Sequence, residues 1–364
     1  MDDCIPAKTM FAGNFLILRC KHHKKSMKRI IYIAAIIMCI TSSCSKNEGS
    51  AVYMTREITP ESLLKIYDAL GVKPAPGDRV AVKVSFGEPG GNNYLKPALI
   101  GDLVREVGGT FIECNTAYGG LRGTTEEHLQ AARDHGFCDL APVDIMDAEG
   151  EFTIPVRDTT YLKYDIVGEN LKNYDFLVNL AHFKGHAMGG FGGVLKNQSI
   201  GIASAGGKAY QHSTGKFDKV EDFLGAINKM IEEDPAKIET CWVDITHSHD
   251  AFHECMANCA AAVADYFGEG KVIYIDVMNN LSVDCDCDAH PADPEMKDVG
   301  ILASLDPVAL DQACVDLVFN YPSTDDDNAA ALIERINSRH GIHTIEHAEA
   351  IGLGSRKYHI ISLD

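Results

Sequence analysis

FLVNLAHFKGHAMGGFGG, residues 176–193, decides how the chain is read. Phe176 to Phe183 is an almost unbroken apolar run of strand length, the pattern of a strand buried on both faces. It passes directly into a glycine-rich stretch carrying His182, Lys184 and His186. In an open α/β sheet the loop leaving the carboxyl end of a strand is where ligands sit. One segment therefore predicts both a buried sheet and a site at its edge.

Outward from it, the same alternation recurs. VAVKVSF (80–86), TFIECNTA (110–117), KVIYIDVM (271–278) and GILAS (300–304) read as strands, and YHIISL (358–363) as an edge strand. Between them lie amphipathic stretches. One opens at Thr59-Pro60-Glu61-Ser62 with an N-cap and a first-turn proline and closes at Gly71. Strands alternating with helices imply an α/β fold, with parallel or mixed sheets and helices on both faces. The expected layout is one domain over 55–364, divided into α/β lobes at about 55–180 and 215–364 around a cleft. They would join through the glycine-rich segment 182–212. A single continuous domain is the alternative.

The first 50 residues read differently. Met27 opens MKRIIYIAAIIMCITSSC, with Lys28 and Arg29 ahead of an apolar run too short to span a bilayer, then Thr41, Ser42, Ser43 and Cys44. This is similar to a bacterial lipoprotein signal over 27–43, with Cys44 lipidated and the protein held at a membrane of the cell envelope by that lipid alone. Residues 1–26 are expected to be an extension of the gene model, and 44–54 a tether.

Composition narrows the function. With 46% hydrophobic and 23% charged residues the chain is a folding one. Its 52 acidic and 33 basic residues give a net charge of −19, against nucleic acid as a partner. Residues 1–26 hold two Asp and five Lys or Arg, and 27–43 two more basic residues. The chain from Cys44 thus stands at −24, with nine of the twelve cysteines.

Two segments can carry chemistry. The first continues the opening stretch: His182, Lys184, His186, Lys196 and His212 are candidate acid/base and anion-binding groups, and Gly189, Gly190, Gly192 and Gly193 let the backbone approach a ligand. It lacks GxxxxGK[ST] and GxGxxG, so a nucleotide is not indicated. The second is SVDCDCDAHPADP (282–294), where Cys285, Cys287 and His290 suit zinc or iron. Cys255 and Cys259, four apart in an expected helix, share a face and can complete a four-cysteine site such as an iron–sulfur cluster. A disulfide within either pair, or plain buried thiols, is the other reading. Cys114, Cys138, Cys241 and Cys314 sit in apolar patterns and read as core. Glu113, Asn115 and Tyr118, with Lys83, Ser85 and Glu88, close neighbouring strands and are placed to face the same cleft.

VKVSFGEPGGNNYLKP (82–97), HFKGHAMGGFGGVLKNQSIG (182–201), CDCDAHPADPEMKDVGILASLDPVALDQACVDLV (285–318) and EHAEAIGLGS (346–355) resemble the domain-of-unknown-function 362 family. The resemblance implies an α/β fold and metal or iron–sulfur binding, with no established reaction. Many relatives carry a ferredoxin-like insertion that this chain lacks. HAMGGFGGVLKNQSIGIAS (186–204) is also similar to a loop of the nickel-pincer lactate racemases. Together these give three expectations: a metal- or iron–sulfur-binding lipoprotein with a redox role, using an iron–sulfur cluster or a single zinc or iron ion; an enzyme acting on a small carboxylate or hydroxy acid; or a non-catalytic binding lipoprotein.

Overall fold

The computed structural model describes residues 49–364. The expected extension, signal and Cys44 lie outside the described residues.

Strand β1 (Ser50–Thr55) is followed by helix α1 (Pro60–Ala69), β2 (Val80–Lys83), α2 (Pro97–Glu106), β3 (Thr110–Glu113), α3 (Thr125–Asp134) and β4 (Val143–Ile145). A small ribbon, β5 (Glu151–Ile154) with β6 (Asp165–Gly168), precedes the long strand β7 (Phe176–His182). Then come a short hairpin, β8 (Lys184–His186) and β9 (Gly190–Gly192), and helices α4 (Val194–Ile202), α5 (Ala205–His212), α6 (Val220–Glu233), α7 (Cys241–Asp244) and α8 (His249–Phe267). The chain closes with β10 (Val272–Met278), β11 (Gly300–Ser304), α9 (Pro307–Phe319), α10 (Ala330–Ser338), α11 (Ile342–Ala350) and β12 (Tyr358–Ser362).

Eight strands form one sheet in the order β12-β1-β11-β10-β7-β2-β3-β4. Its neighbours are parallel except at β11, which runs antiparallel to both β1 and β10. Both faces are buried. Phe176, Val178 and Leu180 of β7 join Leu63, Ile66, Ile100 and Leu103 of α1 and α2. Leu177 and Ala181 on the other face join Leu195, Ala257, Val308 and Ala313 of α4, α8 and α9. The period-two split of one strand between two apolar clusters makes the fold a helix–sheet–helix sandwich. Local signals agree: Thr59 closes a capping box on Ser62, and Pro60 starts α1.

Two expectations are corrected. Strands from both expected lobes, 55–180 and 215–364, stand in this one sheet, and residues 49–364 form one compact unit. The tether assigned to 44–54 ends early: residues 50–54 belong to β1, which pairs with β11 on one side and β12 on the other. The cause is burial, because Val52 and Met54 reach the core.

The connections place the site. From β2 the chain steps through β3 to β4 in one direction; from β7 it steps to β10 in the other. The reversal falls between β2 and β7, where Lys83 pairs in register with Asn179. A crevice opens at the carboxyl ends of strands at such a switch point. Among the described residues no helix is long and apolar enough to cross a membrane.

Candidate metal centre and anion cavity

A cavity of about 730 Å³ lies at these strand ends. Lys83 and Ser85 follow from β2, Glu113 and Tyr118 from β3, and Lys184 and His186 from the hairpin after β7. Cys285 and Cys287 also line it, from the loop after β10.

His186, Cys285 and Cys287 converge: one ligand atom from each lies within 4.8 Å of the others. Two sulfurs and an imidazole at this spacing suit a transition-metal ion with S or N bonds of about 2.0–2.3 Å. The hairpin and the cysteine loop meet because residue 185 is glycine. A Cβ there would collide with the Val283 carbonyl, and the Gly185 N–H donates to the Ser282 carbonyl at 2.8 Å.

Asp286, between the cysteines, ties the loop to the sheet. The His182 ring donates from Nδ1 to Asp286 Oδ1 at 2.8 Å and from Nε2 to the Asn279 carbonyl at 2.6 Å. Lys184 Nζ pairs with Asp286 Oδ2 at 3.0 Å. Burial works to raise the Asp286 carboxyl, yet His182 and Lys184 outweigh it and hold it at about 2. Burial likewise opposes the Lys184 ammonium, but Asp286 and Cys285 hold it above its ordinary value. The Cys287 thiol hydrogen-bonded to the Cys285 sulfur holds Cys285 well below the usual thiol range, against burial and aided by Lys196 and His186. His186 Nδ1 accepts the N–H groups of Met188 at 3.1 Å and Gly189 at 2.8 Å, which leaves Nε2 for the thiols. Burial pushes the His186 ring down.

The cavity is rich in cations. Lys83, 1% exposed, pairs with Glu113 at 3.5 Å, and burial pushes it down to about 8. Lys196 and Lys208 also line the cavity. Among the described residues Lys208 Nζ donates only to the carbonyls of Ala203 and Cys114. Arg122 bridges Glu88 at 3.0 Å and Glu113 at 3.6 Å. Six cations, Lys83, Arg122, Lys184, Lys196, Lys208 and Arg339, and three carboxylates, Glu113, Glu239 and Asp244, line the cavity. From behind the lining Glu88 pairs with Arg122, Asp286 with Lys184, and Lys237 with Asp244, which leaves seven cations to five carboxylates. The surplus favours an anionic ligand.

The other predicted residues separate. His212 lines the cavity, its Nδ1 donating to the Lys208 carbonyl at 2.7 Å, and burial pushes the ring down to about 3. Gly192 and Gly193 line it too. Gly189 and Gly190 instead turn β8 into β9; Gly190 has φ +77° and lies against Gly341. His182 acts through Asp286 and lies outside the cavity lining.

Cys255 and Cys259 do not join the centre. They pack with Leu162, Ile166 and Tyr210 in a separate apolar cluster, where burial raises both thiols. A four-cysteine cluster is therefore not assembled among the described residues. His290 is exposed, with its N–H on Asp288, because the loop turns it outward. Cys114, Cys241 and Cys314 are buried as read, but Cys138 is exposed. Sequence reasoning missed Arg122, Met188, Trp242 and Arg339, which also line the cavity and belong to no motif.

Fold and site define a doubly covered α/β protein with a Cys–Cys–His centre, able to hold a metal, in the wall of a cation-rich cavity. The family model described as Domain of unknown function (DUF362) matches residues 80–316, and the chain belongs to that family. No curated protein matches it. Among solved structures it is similar to the lactate racemase apoprotein from Thermoanaerobacterium thermosaccharolyticum. Identity is 16%, coverage is 62% of this chain and 50% of that chain, and the TM-score is 0.34. The chain thus spans half the length of that protein.

Proposed function

We propose that this protein is a metal-dependent enzyme acting on a small organic anion. Cys285, Cys287 and His186 would hold a single zinc or iron ion. Three protein ligands leave a coordination position open toward the cavity, the arrangement of catalytic rather than structural zinc sites. When bound, the ion supplies Lewis-acid polarisation of a ligand oxygen. Redox chemistry belongs to the reading only where the ion is iron.

The observation that carries the reading is the convergence of the three donor atoms within 4.8 Å at the wall of the cavity. The donor set fits in charge as well: two thiolates neutralise a divalent ion, so the surrounding lysines remain available for an anion. The His186 ring would bind through Nε2, which holds the ring proton while Nδ1 accepts the Met188 and Gly189 N–H groups, so binding shifts that proton to Nδ1 and those two contacts give way. The cysteine thiols lose their protons to the solvent, so metal uptake releases protons.

The chain's own residues supply the rest. His182 and Lys184 hold Asp286, and Asp286 holds the cysteine loop against the hairpin. Lys83, Lys196 and Lys208 bind and orient the anion. We also propose that Cys44 carries a lipid that keeps the protein at the cell envelope. Labelling cells with a clickable fatty acid checks this: label on the wild type and none on Cys44→Ser is expected.

The deciding measurement for the centre is metal content after anaerobic purification. Near-stoichiometric zinc or iron is expected. Metal-free protein that fails to take up either ion from solution overturns the reading.

A further inference from the structure

We propose that the ligand is an amphiphilic anion, an acidic head group on an aromatic or extended apolar body, rather than a three-carbon hydroxy acid. This rests on the reading that the cavity takes an organic anion and names which kind.

The lining sets cationic groups beside apolar ones, and the carboxylates Glu239 and Asp244 flank Trp242 in sequence, Asp244 paired with Lys237 at 2.7 Å. The cationic part is Lys83, Lys196 and Lys208. Among the described residues Lys208 meets only backbone carbonyls, and no carboxylate pairs with Lys196 or Lys208. The buried Lys208 ammonium and the half-buried one of Lys196, left without a carboxylate, call for an anion from outside. The apolar part is Met188, Ile200, Trp242 and Val243. Met188 and Ile200 belong to one apolar cluster with Phe252 and Met256, and Trp242 packs against it. Lys196 and Ile200 stand one turn apart on α4, so a single face of that helix presents a charge and then a hydrocarbon surface.

Size supports the same conclusion. Even at roughly 30 Å³ per heavy atom, the share of a water in the liquid, a three-carbon hydroxy acid fills only about a quarter of the 730 Å³. The remaining space would hold water against Met188, Ile200 and Trp242, which offer it few hydrogen bonds. An apolar body displaces that water and gains the burial energy of roughly 25 cal/mol per Å². Cavities of this volume commonly enclose ligands several times larger than lactate.

The chain has a single tryptophan, Trp242, and it lines the cavity, so its fluorescence reports ligand entry. The full chain, metal-loaded and chelator-stripped, is titrated with lactate, phenylpropionate, decanoate and the neutral alcohol phenylpropanol, with calorimetry in parallel. Phenylpropionate or decanoate is expected to bind at least tenfold more tightly than lactate, and phenylpropionate tenfold more tightly than phenylpropanol. Lys196→Met and Lys208→Met should each weaken binding of the acids by about fivefold or more. Lys196 is only half-buried, so its variant keeps the test open where Lys208→Met fails to fold. Lactate binding as tightly as the larger acids, or phenylpropanol matching phenylpropionate, overturns the proposal, as does the absence of binding by both larger acids. Anion binding that survives while no metal is ever taken up leaves this proposal standing and removes only the metal reading.

Discussion

Cys285 and Cys287 lie two apart in a loop, and Cys255 and Cys259 four apart on α8. By spacing, both pairs read as metal ligands. The structure puts them in opposite surroundings. The loop pair lines a cavity with His186, near Lys184 and Lys196; one proton shared between the two sulfurs draws Cys285 well below its ordinary range and raises Cys287, which holds it. The helical pair is packed against Leu162, Ile166 and Tyr210, and burial raises both thiols. A cysteine becomes a ligand when its neighbours stabilise the thiolate, and an apolar packing unit when they do not. Sequence spacing registers neither condition.

The sharpest way to break this contrast is to exchange the pairs' fates. Cys285→Ser with Cys287→Ser should lower bound metal from near one equivalent to below about a tenth. Cys255→Ala with Cys259→Ala should leave it unchanged, both measured by mass spectrometry of anaerobically purified protein.

The second effect belongs to the apolar side. Asp165, beside Cys259, accepts the N–H of Ile166 at 2.9 Å and Gln211 Nε2 at 3.0 Å, and burial pushes it up to about 6. The folded state therefore favours the neutral acid. That contribution is intact below the ordinary value of 3.8 and is lost as pH rises to about 6. Two units correspond to about 3 kcal/mol. Denaturant melts across that window should show the loss, and Asp165→Asn should flatten it.

Asp286→Asn tests the loop side at its support. Groups that orient ligands typically change metal affinity by about 10–100-fold, and competition against a chelator should show a loss of that size. The smallest effect is Cys255→Ala alone, about 1 kcal/mol of stability by chemical denaturation, with metal content unaltered.

Much of the fold was legible because β7, β10 and β11 are apolar runs of strand length, and strand-end logic brought Lys83, Ser85, Glu113 and Tyr118 to the cleft. What remained hidden is non-local. His186 joined the cysteines across about 100 residues, through contact between Gly185 and Val283. Trp242 and Arg122 entered the cavity through positions on the fold and not through any motif. β1 is not marked in the sequence because its burial depends on partners some 250 and 300 residues away. Cys255 and Cys259 misled because i, i+4 spacing serves a ligand pair and a packing stripe equally well.

The placement of β1 has a mechanical consequence. It runs between β11 and β12, with Val52 to Thr55 opposite Ser304 to Ile301 and Ser50 to Met54 beside Tyr358 to Ser362. A pull on the chain ahead of Ser50, directed along the strand, loads both ladders in shear, so their hydrogen bonds share the force and yield together. A pull across the sheet would open them singly. A pull along β1 would thus be resisted at the first strand, and the strain would be taken up there before it reached the cavity at β2 and β7.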